Sequence, residues 1–203
     1  MMSFHKFANT ATNNKSNGMD IFSIIWVLWF LSEVGLNILL RSKMPDSQET
    51  DKNSIRIIWI TIILSVTAGV YIAIKTIIPI VESIVFKYAG LILIIAGVVV
   101  RFTAIRTLGK FFTVNLAIDN EHRLIDKGFY KYIRHPSYTG SLISFLGLAV
   151  YLNNWISLPV ILTPIISVFI FRINIEEKLL MQQPGLNYGE YINRTKRLIP
   201  FVY

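Results

Sequence analysis

Between two apolar runs of membrane-spanning length the chain reads Lys131-Tyr132-Ile133-Arg134-His135-Pro136-Ser137-Tyr138-Thr139-Gly140. A second polar cluster, Arg172-Ile173-Asn174-Ile175-Glu176-Glu177, ends the apolar hairpin that follows. Ionisable side chains at the edge of a bilayer are costly to keep. Two such clusters, one at each end of a hairpin, therefore indicate a polar site at the membrane surface.

The composition predicts an integral membrane protein. Of the 203 residues 53% are hydrophobic, and the mean hydropathy is +0.53, whereas soluble domains hold about 45–50% apolar residues. A spanning helix needs about 20 apolar residues, and the runs lie at 21–40, 55–78 and 84–105, with a shorter pair at 142–152 and 155–171. We therefore predict an all-α, polytopic membrane protein with about five transmembrane helices and a C-terminal helical hairpin.

The two arms of the hairpin are joined by Asn153-Asn154, and the hairpin either re-enters the membrane or spans it fully. Its second arm contains Pro159 and Pro164. Membrane helices tolerate proline because neighbouring groups satisfy the freed backbone groups.

The domain organisation predicted from the sequence is simple. Residues 1–20 are polar, which predicts a disordered tail. They do not contain the apolar stretch that is typical of a secretory signal peptide. No linker divides the rest, so we expect one domain over 21–203, with N-terminal spans at 21–80 and a core at 84–203.

Positive charge is unevenly distributed between the two sides of the predicted membrane segments. Five crossings would place residues 41–56, 101–141 and 172–203 on one side, and 16 of the 20 Lys and Arg residues fall there. The positive-inside rule then puts the polar clusters and the C-terminus in the cytoplasm. The net charge of +8 follows from this bias, so no nucleic-acid partner is expected.

Several kinds of chemistry are excluded by what the sequence lacks. Because cysteine is absent, there are no disulfides, thiolate metal sites or cysteine nucleophiles. No histidine or carboxylate pair stands at metal-ligand spacing, so no metal is expected. A Rossmann-type nucleotide domain is excluded because no Gly-x-Gly-x-x-Gly motif occurs.

Shorter elements are predicted around the polar clusters. An apolar alternation at 109–116 predicts an extended piece, and a turn follows at 119–122. Residues 130–134 predict a short helix stopped by Pro136. The helix after Phe171 is expected to continue until Pro184-Gly185. A second short helix follows at 187–193, and then a basic, apolar tail at 194–201 suited to anionic headgroups.

The first polar cluster is a candidate ligand site. Arg134, His135, Ser137 and Tyr138 lie within five residues at the mouth of the hairpin. Because Pro136 restricts the preceding residues to an extended shape, we expect their N–H and C=O groups to face a ligand such as an adenine edge.

The second cluster centres on Arg172, which follows the apolar arm of the hairpin. An arginine there can clamp a carboxylate or phosphate with two hydrogen bonds. Helical spacing alone pairs Arg172 with Glu176 in an i, i+4 salt bridge and turns Glu177 about 140° away. Spacing alone does not decide between a structural salt bridge at the helix end and a functional clamp.

The order of these motifs resembles the isoprenylcysteine carboxyl methyltransferase family and its bacterial relatives. The resemblance covers about residues 90–203, and residues 1–80 match only as apolar spans. The residues that carry it are Gly128 to Gly140, Phe171-Arg172 with Glu176-Glu177, Tyr188-Gly189-Glu190-Tyr191 and Leu198-Ile199-Pro200-Phe201.

The resemblance implies a membrane methyltransferase that uses S-adenosylmethionine, bound by a cytoplasmic segment. It also implies that Arg172 and Glu177 are catalytic. The implied cofactor pocket consists of Leu124, Gly128, His135, Pro136, Tyr138, Tyr188 and Tyr191, with Glu177 near the polar end of the cofactor.

The expected activity is methyl transfer to a lipid or prenylated acceptor that enters from the bilayer, foremost to a carboxylate such as that of isoprenylcysteine. A carboxylate is ionised at pH 7 and needs no base, so Arg172 would orient it. A phenol or amine would need a base, for which Glu177 is the candidate.

Other functions stay open on the sequence. They are phospholipid or lipid-amine N-methylation, phenol O-methylation, nicotinamide-dependent reduction and a non-enzymatic transporter or assembly factor. The host membrane would be the inner or plasma membrane in a bacterium and the endoplasmic reticulum in a eukaryote. The oligomeric state is not predicted.

Overall fold

The computed structural model describes residues 21–39, 49–109, 124–183 and 187–200. The predicted tail at 1–20, the extended piece at 110–116 and the turn at 119–122 lie outside these residues. The described part holds six α-helices and one 3-10 helix, Gly128–Lys131. The α-helices are α1 (Ile21–Leu39), α2 (Glu49–Lys75), α3 (Ile84–Leu108), α4 (Pro136–Leu152), α5 (Ser157–Met181) and α6 (Tyr188–Arg194).

The chain divides into two compact units, residues 1–34 and 35–203. In the first unit the described residues belong to α1, where the rings of Trp26 and Phe30 stack at 5.6 Å. The second unit contains α2 to α6.

The all-α prediction is confirmed for the described residues, and apolar helices form at every predicted run. Three helical stretches are long and apolar enough to cross a membrane: Asn53–Lys75, Ile84–Leu108 and Ser157–Met181. Ile24–Gly35 and Pro136–Leu152 are apolar but shorter. As predicted, the helix of the second arm continues past Phe171; α5 ends at Met181 and accommodates Pro164 in its interior.

Helices α3 and α4 approach each other through small residues. A Cβ atom at Gly147 would lie 2.6 Å from the carbonyl oxygen of Gly90, and one at Gly97 would lie 2.5 Å from the carbonyl oxygen of Gly140. The Ser144 hydroxyl donates to the Ile94 carbonyl at 3.2 Å. Small residues let membrane helices pack backbone against backbone, so α3 and α4 form a tight antiparallel pair.

The two loops at one end of the second unit are tied together by the asparagines that were predicted to join the hairpin. Asn153 adopts a left-handed conformation with φ 48°, and its side-chain oxygen accepts from the amides of Ile80 and Val81 at 3.0 and 3.1 Å. The Asn154 amide group donates to the Thr76 carbonyl at 3.1 Å. These bonds fix the α2–α3 loop against the α4–α5 loop.

The opposite end of the same helices gathers the polar residues. The chain runs antiparallel from α2 to α3 and from α4 to α5, so the starts of α2 and α4 meet the ends of α3 and α5. Both polar clusters identified in the sequence therefore lie at one end of the helices.

Candidate active site

The first polar cluster forms the entrance to α4. Gly128 opens the 3-10 helix with φ +58°, a left-handed conformation that glycine adopts without steric cost. His135 is the N-cap residue of α4, and Pro136 occupies its first turn, where proline needs no amide hydrogen. The short helix predicted at 130–134 instead ends at Lys131, because Ile133 forms a parallel bridge with Lys196.

The backbone of this cluster pairs with the C-terminal segment. The amide of Arg134 donates to the Lys196 carbonyl at 2.7 Å, the amide of His135 donates to the Arg197 carbonyl at 3.0 Å, and the amide of Lys196 donates to the Tyr132 carbonyl at 3.0 Å. The prediction that the Arg134 and His135 amides face a ligand was therefore wrong. The local sequence does not indicate this pairing, because the C-terminal segment lies some sixty residues later in the chain.

The carboxylate of Glu177 joins three basic side chains. Its Oε1 accepts from Arg134 Nε at 2.8 Å and lies 3.3 Å from His135 Nε2, while Oε2 pairs with Arg197 at 2.7 Å. Glu177 is buried. Buried charges need ionic partners and hydrogen bonds of good geometry, and here these come from the entrance to α4 and from the C-terminal segment.

Arg134 links this ion-pair cluster to α6. Its Nη1 donates to the carbonyl oxygens of Thr195 at 2.6 Å and Ile192 at 3.2 Å. These carbonyls lie at the C-terminal end of α6, where a cation is favourable. The basic tail was expected against headgroups, but Arg197 turns inward to Glu177.

Arg172 is buried, with 2% of its surface exposed. Its Nη1 donates to the hydroxyl of Ser54 on α2, and the guanidinium also donates to the Tyr138 hydroxyl on α4. The Tyr138 ring packs edge-on against His135 at 5.8 Å and against Phe169 at 5.3 Å. Arg172, Tyr138 and His135 thus line one continuous region that ends at Glu177.

A second group of predicted residues forms an aromatic cluster on α6. Tyr188 and Tyr191 are buried with ring centroids 5.8 Å apart, and Leu124, Leu180 and Ile192 pack against them. The Tyr191 hydroxyl donates to the Tyr130 carbonyl at 2.6 Å. The short helix predicted at 187–193 is confirmed as α6, Tyr188–Arg194.

The Tyr188 hydroxyl is buried without a hydrogen-bond partner among the described residues. Burial raises the pKa of this phenol above its ordinary value, so it is protonated at neutral pH and can donate. A buried, unsatisfied polar group costs free energy unless a partner arrives. This hydroxyl, on the tyrosine cluster, suits the polar edge of a bound ligand.

Sequence reasoning left out several polar residues of this region. They are Ser54, Arg101, Thr195 and Arg197. Arg101 Nη1 donates to the hydroxyls of Ser137 at 3.0 Å and Ser141 at 2.7 Å. An arginine near the end of an apolar run, followed by serines at i, i+4 on the next helix, is a signal that points to such a pair.

Among the described residues no group of three or more His, Asp or Glu side chains is arranged to hold a metal ion. The polar region therefore consists of a buried guanidinium, an ion-pair cluster and a tyrosine cluster with one unsatisfied hydroxyl. Such a region can bind an anionic group at Arg172 and a polar, flat ligand at the tyrosines.

A comparison with protein-family models finds a match to this part of the chain. Residues 90–182 match the model of the isoprenylcysteine carboxyl methyltransferase (ICMT) family. This segment therefore resembles the ICMT family. The resemblance predicted from the motifs is confirmed, and the match includes the entrance to α4 as well as Arg172 and Glu177 of α5.

Curated relatives agree with the family match. Protein-S-isoprenylcysteine O-methyltransferase B of Arabidopsis thaliana is 40% identical over 115 residues, which is 56% of this chain and 58% of that protein. The Saccharomyces cerevisiae protein-S-isoprenylcysteine O-methyltransferase is 34% identical over 115 residues, 56% of this chain and 48% of that protein. The chain thus spans about half of the length of these relatives.

A solved structure is similar in fold. The eukaryotic intramembrane Ras methyltransferase ICMT superposes with a TM-score of 0.57 and 26% identity, covering 89% of this chain and 64% of that one. The likeness extends beyond residues 90–182, so it includes N-terminal helices that the sequence resembles only as apolar spans.

Proposed function

We propose that this chain transfers the methyl group of S-adenosylmethionine to the carboxylate of an isoprenylated cysteine at the membrane surface, forming a methyl ester. The observation that carries the proposal is the buried guanidinium of Arg172 within a segment of the ICMT family. The names of the curated relatives support the same reaction.

Arg172 suits a carboxylate acceptor. The guanidinium offers a planar pair of donors that matches two carboxylate oxygens, and burial strengthens the attraction because little water screens it. Arg172 would hold the acceptor so that one oxygen points at the methyl group. Orientation of this kind can supply up to about 7–11 kcal/mol of the barrier.

The residues of the site fit the proposed cofactor. When bound, S-adenosylmethionine supplies an electrophilic methyl group on a sulfonium sulfur. Its flat adenosine suits the tyrosine cluster, and the unsatisfied Tyr188 hydroxyl provides a polar contact. The residues proposed to hold it are Leu124, Gly128, His135, Pro136, Tyr138, Tyr188 and Tyr191, with Glu177 at its polar end.

The state of Glu177 favours a carboxylate over an amine or a phenol. Both of its oxygens already pair with basic side chains, Oε1 with Arg134 and Oε2 with Arg197. A general base must reach the proton that it removes, and these ion pairs occupy the oxygens that would do so. An ionised carboxylate acceptor needs no base, so Glu177 is free to organise the pocket.

We further propose that α1 and α4 also cross the bilayer, giving five spans with the polar end of the helices facing the cytoplasm. The distribution of Lys and Arg supports this orientation. The acceptor would enter laterally from the lipid, and the cofactor would enter from the water. The host membrane is the endoplasmic reticulum in a eukaryote and the plasma or inner membrane in a bacterium.

The experiment offers methyl-labelled S-adenosylmethionine to the purified protein with matched acceptors. These are S-farnesylcysteine blocked at nitrogen, the same compound with its carboxylate replaced by an amide, an aminophospholipid and a lipophilic phenol. We expect label in a base-labile methyl ester of the first compound alone. Transfer to the amine or the phenol, or no transfer to the carboxylate, would refute the proposal.

A further inference from the structure

The geometry points to Ser54 as a positioning residue for the Arg172 guanidinium, an inference that rests on the proposed function. Ser54 lies outside residues 90–182, which match the family. The N-terminal part of the chain would thus take part in acceptor recognition as well as in membrane insertion.

The first observation is the contact itself. Arg172 Nη1 donates to the Ser54 hydroxyl, and each of the two residues is only 2% exposed. Ser54 immediately precedes the apolar run of α2, so its hydroxyl reaches Arg172 at the polar end of the helices. Hydrogen bonds to a charged group are about twice as strong as neutral ones.

The second observation is the register of α2 against α5. Farther along the pair, the Ser157 hydroxyl donates to the Gly69 carbonyl at 2.8 Å. Gly69 is 15 residues after Ser54, and Arg172 is 15 residues after Ser157. The spacing is therefore the same on the two antiparallel helices, about 22 Å on each. For this reason the contact at Gly69 sets the register that brings Ser54 to Arg172.

The close approach at Gly69 holds this register. A Cβ atom there would collide with the side chain of Ile161. The guanidinium is then held from two helices, by Ser54 on α2 and by Tyr138 on α4. A bound group must be kept within about 0.5 Å and 10–20° of its productive geometry, and two anchors on different helices provide this for the long arginine side chain.

The test is steady-state kinetics of ester formation by the full chain in lipid. We expect Ser54→Ala to lower kcat/KM for the prenylcysteine by roughly 10- to 100-fold, the range for a hydrogen bond to a charged group. The calorimetric Kd for S-adenosylmethionine should stay within about twofold of wild type, since Ser54 acts on the acceptor side. Ser54→Thr, which keeps the hydroxyl, should restore most of the activity.

Ser65→Ala is the matched control. Ser65 is also buried on α2, but its hydroxyl donates to the Thr61 carbonyl of its own helix at 2.6 Å. This variant should keep wild-type kcat/KM.

Three results would overturn the positioning role. They are full activity of Ser54→Ala, loss of cofactor binding together with acceptor turnover, and failure of Ser54→Thr to restore activity. An inactive wild type would instead refute the proposed function, and the inference with it.

Discussion

Two charged side chains of α5 stand five residues apart and serve different purposes. Arg172 is held by the hydroxyls of Ser54 and Tyr138 at the polar end of the helices. Glu177 is enclosed by Arg134, His135 and Arg197. The first arrangement suits capture of an acceptor anion, and the second holds the C-terminal segment against the entrance to α4.

The tyrosine cluster predicts a pH dependence of stability. Burial is the main cause that raises the pKa of Tyr191 above its ordinary value of 10.0. Because the folded state disfavours ionisation, this stabilisation is fully present below about pH 10 and is lost progressively as the pH rises from there towards the raised pKa of the folded state. The melting temperature of the wild type should therefore fall above pH 10.

Tyr191→Phe tests this dependence. The variant should melt lower than the wild type at pH 8, since the donor to the Tyr130 carbonyl is lost, but the fall above pH 10 should be shallower. Tyr132→Phe is the control because Tyr132 is exposed. Equal pH slopes for the wild type and Tyr191→Phe would contradict the expectation.

At the scale of single residues, the sequence predicted positions better than partners. The polar cluster before α4 and Arg172 stood out because ionisable groups are rare beside apolar runs. The partners of Glu177 lie at the entrance to α4 and in the C-terminal segment. Both are distant from Glu177 in the sequence, so local spacing carries no information on them. Spacing alone favoured Glu176 over Glu177 for this reason.

At the scale of elements, the α3–α4 pair depends on glycine. We expect Gly147→Val to destabilise the protein by about 1–3 kcal/mol or to prevent its folding, because the new side chain meets the backbone of Gly90 and Ile94 at 2.6 Å. The measurement is the melting temperature and the yield of monodisperse protein in detergent.

Gly35→Ala is the control for this prediction, since nothing lies within 4 Å of a Cβ atom there. It should be neutral. A Gly147→Val variant as stable as Gly35→Ala would mean that α3 and α4 do not pack as described.

Helix existence was easier to predict from the sequence than helix pairing. The apolar runs predicted the helices because hydropathy alone selects them. The sequence repeats glycine at Gly90 and Gly97 on α3 and at Gly140 and Gly147 on α4, but only the structure shows that these two pairs face each other. The continuation of α5 past Phe171 was predicted correctly, because Arg172 and Glu177 interrupt the apolar pattern without interrupting the helix.

At the scale of the whole molecule, the antiparallel run of α2 to α5 separates a structural end from a chemical end. The asparagine-tied loops lie at one end and the polar site at the other. We expect these ends to face opposite sides of the membrane, with the site towards the side that carries most of the Lys and Arg residues.

The absence of cysteine from the sequence makes this orientation directly testable. Lys196→Cys marks the site end and Trp155→Cys marks the loop end, and both positions are exposed. A membrane-impermeant maleimide should label Lys196→Cys only from the cytoplasmic side and Trp155→Cys only from the opposite side. Labelling of both from one side would contradict the proposed topology.

The role of Arg172 is tested by measuring ester formation by Arg172→Ala, with calorimetric binding of S-adenosylmethionine to the same preparation. We expect turnover of the prenylcysteine carboxylate to fall by at least about 100-fold, as when a group that orients the acceptor is lost, while the Kd for the cofactor stays close to that of the wild type. An Arg172→Ala protein that turns over at the wild-type rate would contradict the claim that this buried guanidinium holds the acceptor carboxylate.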